Sequence, residues 1–262
     1  MFQHRDSPSR AELRLIHGLH RRKVREAEGL FLAEGIRVAE ELVASGLPLR
    51  LALVAPAAED TERGRALVQA LEARTPVRRV SDAELARVAG TETPQGVLVV
   101  AEIPRQRLED VAPGAAATAL VLDGVQDPGN FGTMVRTADA LGADPVVALP
   151  GTVDPWNPKS VRAAAGALFR IPIVQPGVDG LLAWLREHGF TLYGADSGGT
   201  DIGTVRIPNR AALVVGNEGA GLSPALRGAA DALVAVPIAK HAESLNVAVA
   251  AGILLYVLTR RR

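Results

Sequence analysis

The chain has 262 residues, with 29 Lys and Arg balanced by 29 Asp and Glu, and 48% of it is hydrophobic. That is enough for one large domain or two modest ones with a real core. The absence of cysteine excludes a disulfide scaffold, a thiolate nucleophile and a Cys-ligated metal.

The leading residues lack the apolar run of a signal peptide, and the most apolar stretch, 247–258, is too short to span a bilayer. A soluble cytoplasmic protein is therefore expected. The first element is a helix over 9–26, opened by the capping-box pair Ser9 and Glu12. Zero net charge argues against nucleic acid only as a sum, because the first 25 residues hold seven basic groups against Asp6 and Glu12. Arg14, Arg21, Arg22, Lys23 and Arg25 form a candidate phosphate-binding arm, and Arg suits bidentate phosphate contacts. His17 and His20 are three apart but surrounded by arginines, so no metal site is expected. Strand-like runs follow at 30–33, 49–54, 77–80 and 96–103. Helical patterns at 36–45, 61–73 and after Ser81 separate them. A stretch rich in Pro, Gly and Ala at 104–117 reads as a linker.

Beyond it, strands are predicted at 119–125, 146–149, 191–195, 211–215 and 232–236, with helices near 132–141, 160–169, 178–188, 223–229 and 244–260. Strands of near-continuous Val, Leu and Ala imply a parallel sheet covered on both faces, with its ligand at the carboxyl ends of the strands. Four loops after these strands are unusual. The first holds Gly129, Asn130 and Gly132 ahead of a helix that carries Arg136, and its N-terminus reads as an anion site. The second places Lys159 and Arg162 at a helix start. In the third, Gly216, Gly219 and Gly221 surround Glu218, and the last runs through Ser244 to Asn246. No GxGxxG follows a strand and no P-loop glycine precedes Lys159, so neither an ordinary dinucleotide fold nor a nucleotide triphosphatase is supported.

Taken together these segments resemble the SpoU/TrmH family of RNA 2′-O-ribose methyltransferases, within the SPOUT class. Three motifs carry the likeness in order: Pro128, Gly129 and Asn130 with Arg136; Gly216, Asn217, Glu218 and Gly219 with Gly221, Leu222 and Ser223; and Pro237 and Ile238 with Ser244, Leu245 and Asn246. Residues 154–166 and the run Thr93, Pro94, Gln95, Gly96, Val97 add two more. Residues 19–35, ending in Glu34 and Gly35, look like the start of the substrate-binding domain of rRNA-type members. Lys240 and Ala164 depart from the family's usual glycine and serine.

The resemblance implies an RNA substrate-binding α/β domain over 1–103, a linker over 104–117, and a SPOUT parallel-sheet domain with a trefoil knot over 118–262. It implies S-adenosyl-L-methionine held by Ala195, Gly216, Val236, Ile238 and Leu245. It further implies catalysis by Arg136 with Asn130, Glu218, Ser244 and Asn246, and a homodimer without membrane or metal. The expected reaction is methylation of a ribose 2′-hydroxyl, with 23S rRNA as the substrate; the alternatives are a tRNA 2′-O-methyltransferase and a non-catalytic RNA-binding protein. Two roles for Arg136 stay open, base or electrostatic clamp, since a guanidinium is a very weak base.

Overall fold

The computed structural model describes residues 7–239 and 241–260. The chain divides into two compact units. The first comprises the residues up to Pro104 together with Trp156–Phe169, and the second Arg105–Pro155 with the residues from Arg170 onward.

In the first unit, α1 (Arg10–Gly18) opens on the expected capping box, with the Ser9 hydroxyl and Glu12 carboxylate each bonding the other's backbone. The single helix expected over 9–26 is instead two, with α2 at Arg22–Glu28. The break lets Leu19 drop into the core, fully buried beside Ile16. It also exposes the Leu19 carbonyl, which accepts a 2.8 Å hydrogen bond from Arg25 Nη1. Arg25 is thus 2% exposed, holding the turn together rather than reaching for phosphate. Then follow β1 (Leu30–Glu34), α3 (Ile36–Ser45), β2 (Leu49–Val54), α4 (Glu62–Glu72), β3 (Val77–Arg79), α5 (Asp82–Val88) and β4 (Val97–Glu102). The sheet order is β1-β4-β2-β3, antiparallel on both sides of β4 and parallel between β2 and β3. Alternation sends Leu30 and Leu32 into one cluster with Ile16, Leu19, Leu85 and Val88. Phe31, between them, points to the other face.

The second unit starts earlier than the sequence suggests. Leu108, in the stretch read as a linker, is 4% exposed in this unit's core, and the Gln106 side chain accepts from Ile173 N at 3.2 Å. Burial of one leucine and one amide bond is enough to tie the stretch down. The sheet begins with β5 (Ala117–Asp123), followed by α6 (Pro128–Leu141) and β6 (Val146–Ala148). The chain then returns to the first unit as α7 (Pro158–Ala164), a segment read from sequence as part of the second domain. Aromatic packing accounts for this, since Trp156 and Phe169 lie 4.8 and 5.7 Å from the Phe31 ring centroid. Ala164 is fully buried on α7.

Back in the second unit come β7 (Ile173–Val174), α8 (Val178–Glu187), β8 (Thr191–Asp201), β9 (Arg210–Gly216), α9 (Pro224–Ala229), β10 (Ala232–Ala235) and α10 (Val247–Arg260). The order β10-β8-β9-β5-β6-β7 is parallel throughout. One face packs α8 and α9 through Trp184, Leu185 and Leu226, and α6 and α10 pack together beside the sheet. Among the described residues no helix is long and apolar enough to cross a membrane.

Candidate active site

β5 and β9 are neighbours, and β5 continues to β6 on the other side, so the sheet order reverses between them. Parallel sheets open a crevice at the carboxyl ends of such strands. Here the loops after β5, β9 and β10, with the middle of β8, surround a cleft of about 480 Å³, within the usual range for small-molecule sites. Ala195, Gly216, Val236, Ile238 and Leu245 all line it, as do Asn130, Glu218, Ser244 and Asn246.

Backbone demands explain the loop composition. A Cβ on Gly216 would overlap the backbone of Gly221 and Leu222, because residues 217 and 221 pair across a tight turn. Gly221 itself has φ +71°, a region that favours glycine. Asn217 Oδ1 accepts from the N–H groups of Gly219 and Ala220, and its Nδ2 donates to the Gly124 carbonyl at 2.8 Å. One asparagine therefore fastens the β9 loop to the β5 loop. The pairing of β10 with β8 shifts register between Leu233 and Val234, jumping from Gly194 to Thr200. The intervening residues bulge, which brings Ala195, Asp196 and Ser197 into the cleft wall.

A chain of polar side chains crosses the cleft. Asn246 Nδ2 donates to Asn130 Oδ1 at 3.1 Å, and Asn130 Nδ2 donates to Glu218 Oε1 at 3.1 Å. Glu218 also accepts from Gln126 N at 3.2 Å and Asp127 N at 3.3 Å. Asn246 Oδ1 is engaged by the N–H groups of Ala248 and Val249, so it caps the first turn of α10 while reaching Asn130. That helix starts three residues later than predicted, which leaves Ser244 and Leu245 in the cleft loop.

Burial alone would raise the Glu218 carboxyl. Its hydrogen bonds to its own backbone N–H, the Asn130 amide and the N–H groups of Gln126 and Asp127 outweigh this, and it sits below the ordinary carboxylate value. The predicted anion site at the start of α6 is taken by the protein itself. Asp127 caps the helix by accepting from Asn130 N at 2.7 Å, and Glu218 covers the preceding N–H groups. Two carboxylates there repel phosphate rather than bind it.

Arg136 is brought to none of these groups. It is exposed on α6, makes no hydrogen bond or ion pair with a described residue, and does not line the cleft. Six helical residues place it about 9 Å further along the axis and on a different face from Asn130. Of the basic arm, Arg14, Arg21 and Lys23 are exposed, and Arg22 is exposed but paired with Glu26 at 2.6 Å. Lys240 lies outside the described residues.

Sequence reasoning gave no role to Asn217, Asp196 or Asp123. The Asp123 carboxylate, 8% exposed, accepts from Ser223 N at 2.7 Å and ties β5 to the start of α9. A signal for Asn217 was present in its place between Gly216 and Glu218; nothing local marks the other two.

An all-parallel sheet with a cleft at its reversal point, walled by small and apolar loops and crossed by an amide–carboxylate chain, defines a cofactor-binding α/β domain joined to a second unit. The chain belongs to the SpoU rRNA Methylase family, whose model matches residues 117–256. Residues 11–99 match the MRM3-like substrate binding domain. The chain is 39% identical to the 23S rRNA (guanosine(2553)-2'-O)-methyltransferase RlmP of Bacillus subtilis (strain 168), over 91% of this chain and 92% of that protein. It is 32% identical to the 23S rRNA (uridine(2479)-2'-O)-methyltransferase of Streptomyces viridochromogenes, over 93% of this chain and 87% of that one. The solved SpoU methyltransferase AviRb from S. viridochromogenes, in complex with AdoMet, superposes with a TM-score of 0.88 at 30% identity, covering 96% of this chain and 98% of that chain.

Proposed function

We propose that this protein transfers a methyl group from S-adenosyl-L-methionine to a ribose 2′-hydroxyl of 23S rRNA. The observation that carries the reading is the chain Asn246–Asn130–Glu218 at the mouth of an apolar cleft, in a protein similar along its length to rRNA ribose methyltransferases. The cleft suits this cofactor. Ile238 and Leu245 are exposed for large apolar residues, at 38% and 37%, and give an adenine ring a dry surface. Asp196 and Glu218 are the carboxylates of the wall; Asp196 is ion-paired with Arg227, and Glu218 is the one that complements a ligand carrying a sulfonium. Bound there, the cofactor supplies an electrophilic methyl.

The protein must align the hydroxyl with that methyl and help remove its proton. The amide–carboxylate chain is held at both ends, by α10 and by the N–H groups before α6, so it presents fixed polar groups without reorganisation. Arg136 completes the machinery from a second copy of the chain, since it lies outside its own cleft. Val249, Ile253 and Tyr256, four and three residues apart on α10, are 52%, 39% and 57% exposed and form the apolar stripe such a dimer would bury. Tyr256→Asp with Val249→Asp is expected to give a monomer by sedimentation with methyl transfer lost; an active monomer would refute the dimer. The trefoil knot belongs to the same reading, supported by the parallel sheet order and the return of α10 across β5 and β9. The cytoplasm, where rRNA is made, is its proposed location.

Incubation with labelled cofactor and unmodified 23S rRNA, followed by mapping of ribose methylation, tests the function. One methylated ribose is expected, and no transfer to rRNA would overturn it. The first unit's exposed arm, Arg14, Arg21 and Lys23, is proposed to contact RNA phosphates. Neutralising all three should weaken RNA binding and reduce the slope of log affinity against log salt by about 2, at roughly 0.7 per contact. An unchanged slope would remove the arm from the interface.

A further inference from the structure

Three segments singled out in the sequence have no part in the cleft: Glu34 with Gly35, the run 93–97, and the helix bearing Arg162. All three meet in a separate cavity of about 270 Å³ within the first unit, lined by Glu34, Arg37, Thr91, Thr93, Gln95 and Arg162 among others. Its floor is a carboxylate. Glu34 is 6% exposed and accepts from Gly90 N at 2.9 Å and from the Thr91 hydroxyl, and it faces Arg162 Nη1 at 3.4 Å. Its charge is therefore already answered by the protein.

The rest of the lining presents donors. Gln95 Oε1 accepts from Ile36 N at 3.2 Å, the first residue of α3. With the oxygen engaged, the NH2 of this exposed side chain is the group left for a ligand, and no described acceptor meets it. Arg37, in the first turn of α3, is exposed; its charge acts on Glu40 one turn along, but no carboxylate of a described residue lies within ion-pair distance of it. Arg162 keeps further N–H groups beyond its one contact with Glu34. Two guanidinium groups, an amide NH2 and the Thr93 hydroxyl, around a carboxylate already engaged by Thr91, make a pocket for an acceptor-rich, anionic ligand.

We propose that this cavity binds one unstacked nucleotide of the RNA substrate other than the one methylated. Arg37 takes its phosphate, and Gln95 with Arg162 reads a base edge rich in acceptors, such as the O6 and N7 of guanine. Single-stranded RNA is recognised by splaying bases into pockets of this kind, and guanidinium groups pair well with both acceptors. The proposal rests on the rRNA methyltransferase reading for the identity of its ligand.

The test is KM for unmodified 23S rRNA, read separately from kcat and from cofactor affinity, on the full chain. Gln95→Glu keeps an acceptor for Ile36 N but replaces the NH2 with negative charge. A merely structural Gln95 predicts no change in this variant. A binding role predicts KM raised about tenfold, and Arg37→Ala likewise, with kcat and cofactor affinity unchanged. Arg87→Ala, an equal loss of charge on α5, should leave KM within about twofold. Unchanged KM in Gln95→Glu and Arg37→Ala, or an equal rise in Arg87→Ala, would overturn the proposal. Ultraviolet crosslinking of 23S rRNA to the wild-type protein decides the matter independently of turnover. Adducts within 34–38 or 91–95 support the pocket and adducts confined elsewhere overturn it, even if the wild-type protein transfers no methyl and the reaction itself must be reassigned.

Discussion

Arg136→Ala is expected to cut the rate of methyl transfer about a thousandfold while leaving cofactor binding and folding stability almost untouched. The two halves of that expectation have separate causes. The side chain is exposed and has no partner among the described residues, so its loss should change stability by no more than about 0.5 kcal/mol. Its charge is the group proposed to meet the reacting ribose in the dimer, where a fixed cation stabilises the developing alkoxide. Arg136→Lys separates its two possible roles. A clamp keeps its charge as lysine, so part of the rate survives with an unchanged pH profile below about pH 9. A base acts deprotonated, and the lower intrinsic pKa of lysine would move the rising limb about 2 units toward neutrality. Near-normal activity in Arg136→Ala would remove the residue from the mechanism altogether.

Glu218→Gln should lower kcat about a hundredfold and, unlike the Arg136 change, should also disturb the loop. The carboxylate accepts from its own N–H, from the N–H groups of Gln126 and Asp127 and from the Asn130 amide. A glutamine offers one oxygen: placed where Oε1 stands it keeps Asp127 N and Asn130, but its NH2 then confronts the Gln126 N–H, so the loop shifts and the negative charge behind Asn130 is lost. Removing these bonds costs about 1 kcal/mol, kept small by the exposure of the loop. The sign with pH follows from the lowered carboxyl. Its stabilisation is present above the ordinary value of 4.5 and lost as pH falls through the lower folded-state value. Denaturation of the two proteins should therefore differ near neutrality and converge in acid. A constant gap across that range would show that Glu218 is not held as a carboxylate.

Much of the second unit was legible because its signals are local. Buried parallel strands read as runs of Val, Leu and Ala, and the Ser223 cap, like Ser9 and Ser81 in the first unit, lies within three residues of the N–H group it serves. Gly216 and Gly221 on either side of Glu218 announce a turn that bulkier residues cannot make. The same locality misled at the start of α6, where glycines before a helix look like a phosphate site. The carboxylate that fills it comes from Glu218, about ninety positions away. Arg25 is a parallel case: in sequence it is one more cation of a basic run, and only the inward turn at Leu19 makes it a buried donor.

The sequence by itself determined the alternation of strands and helices, the ordered motifs of the family, and which loops carry its polar residues. Only the tertiary structure decided that residues 156–169 join the first unit through Phe31, that Asn246, Asn130 and Glu218 form one chain, and that Arg136 stands apart from it. The reason is physical. Propensities, caps and turns act between residues a few positions apart, whereas these arrangements depend on contacts between segments brought together by the burial of a common core.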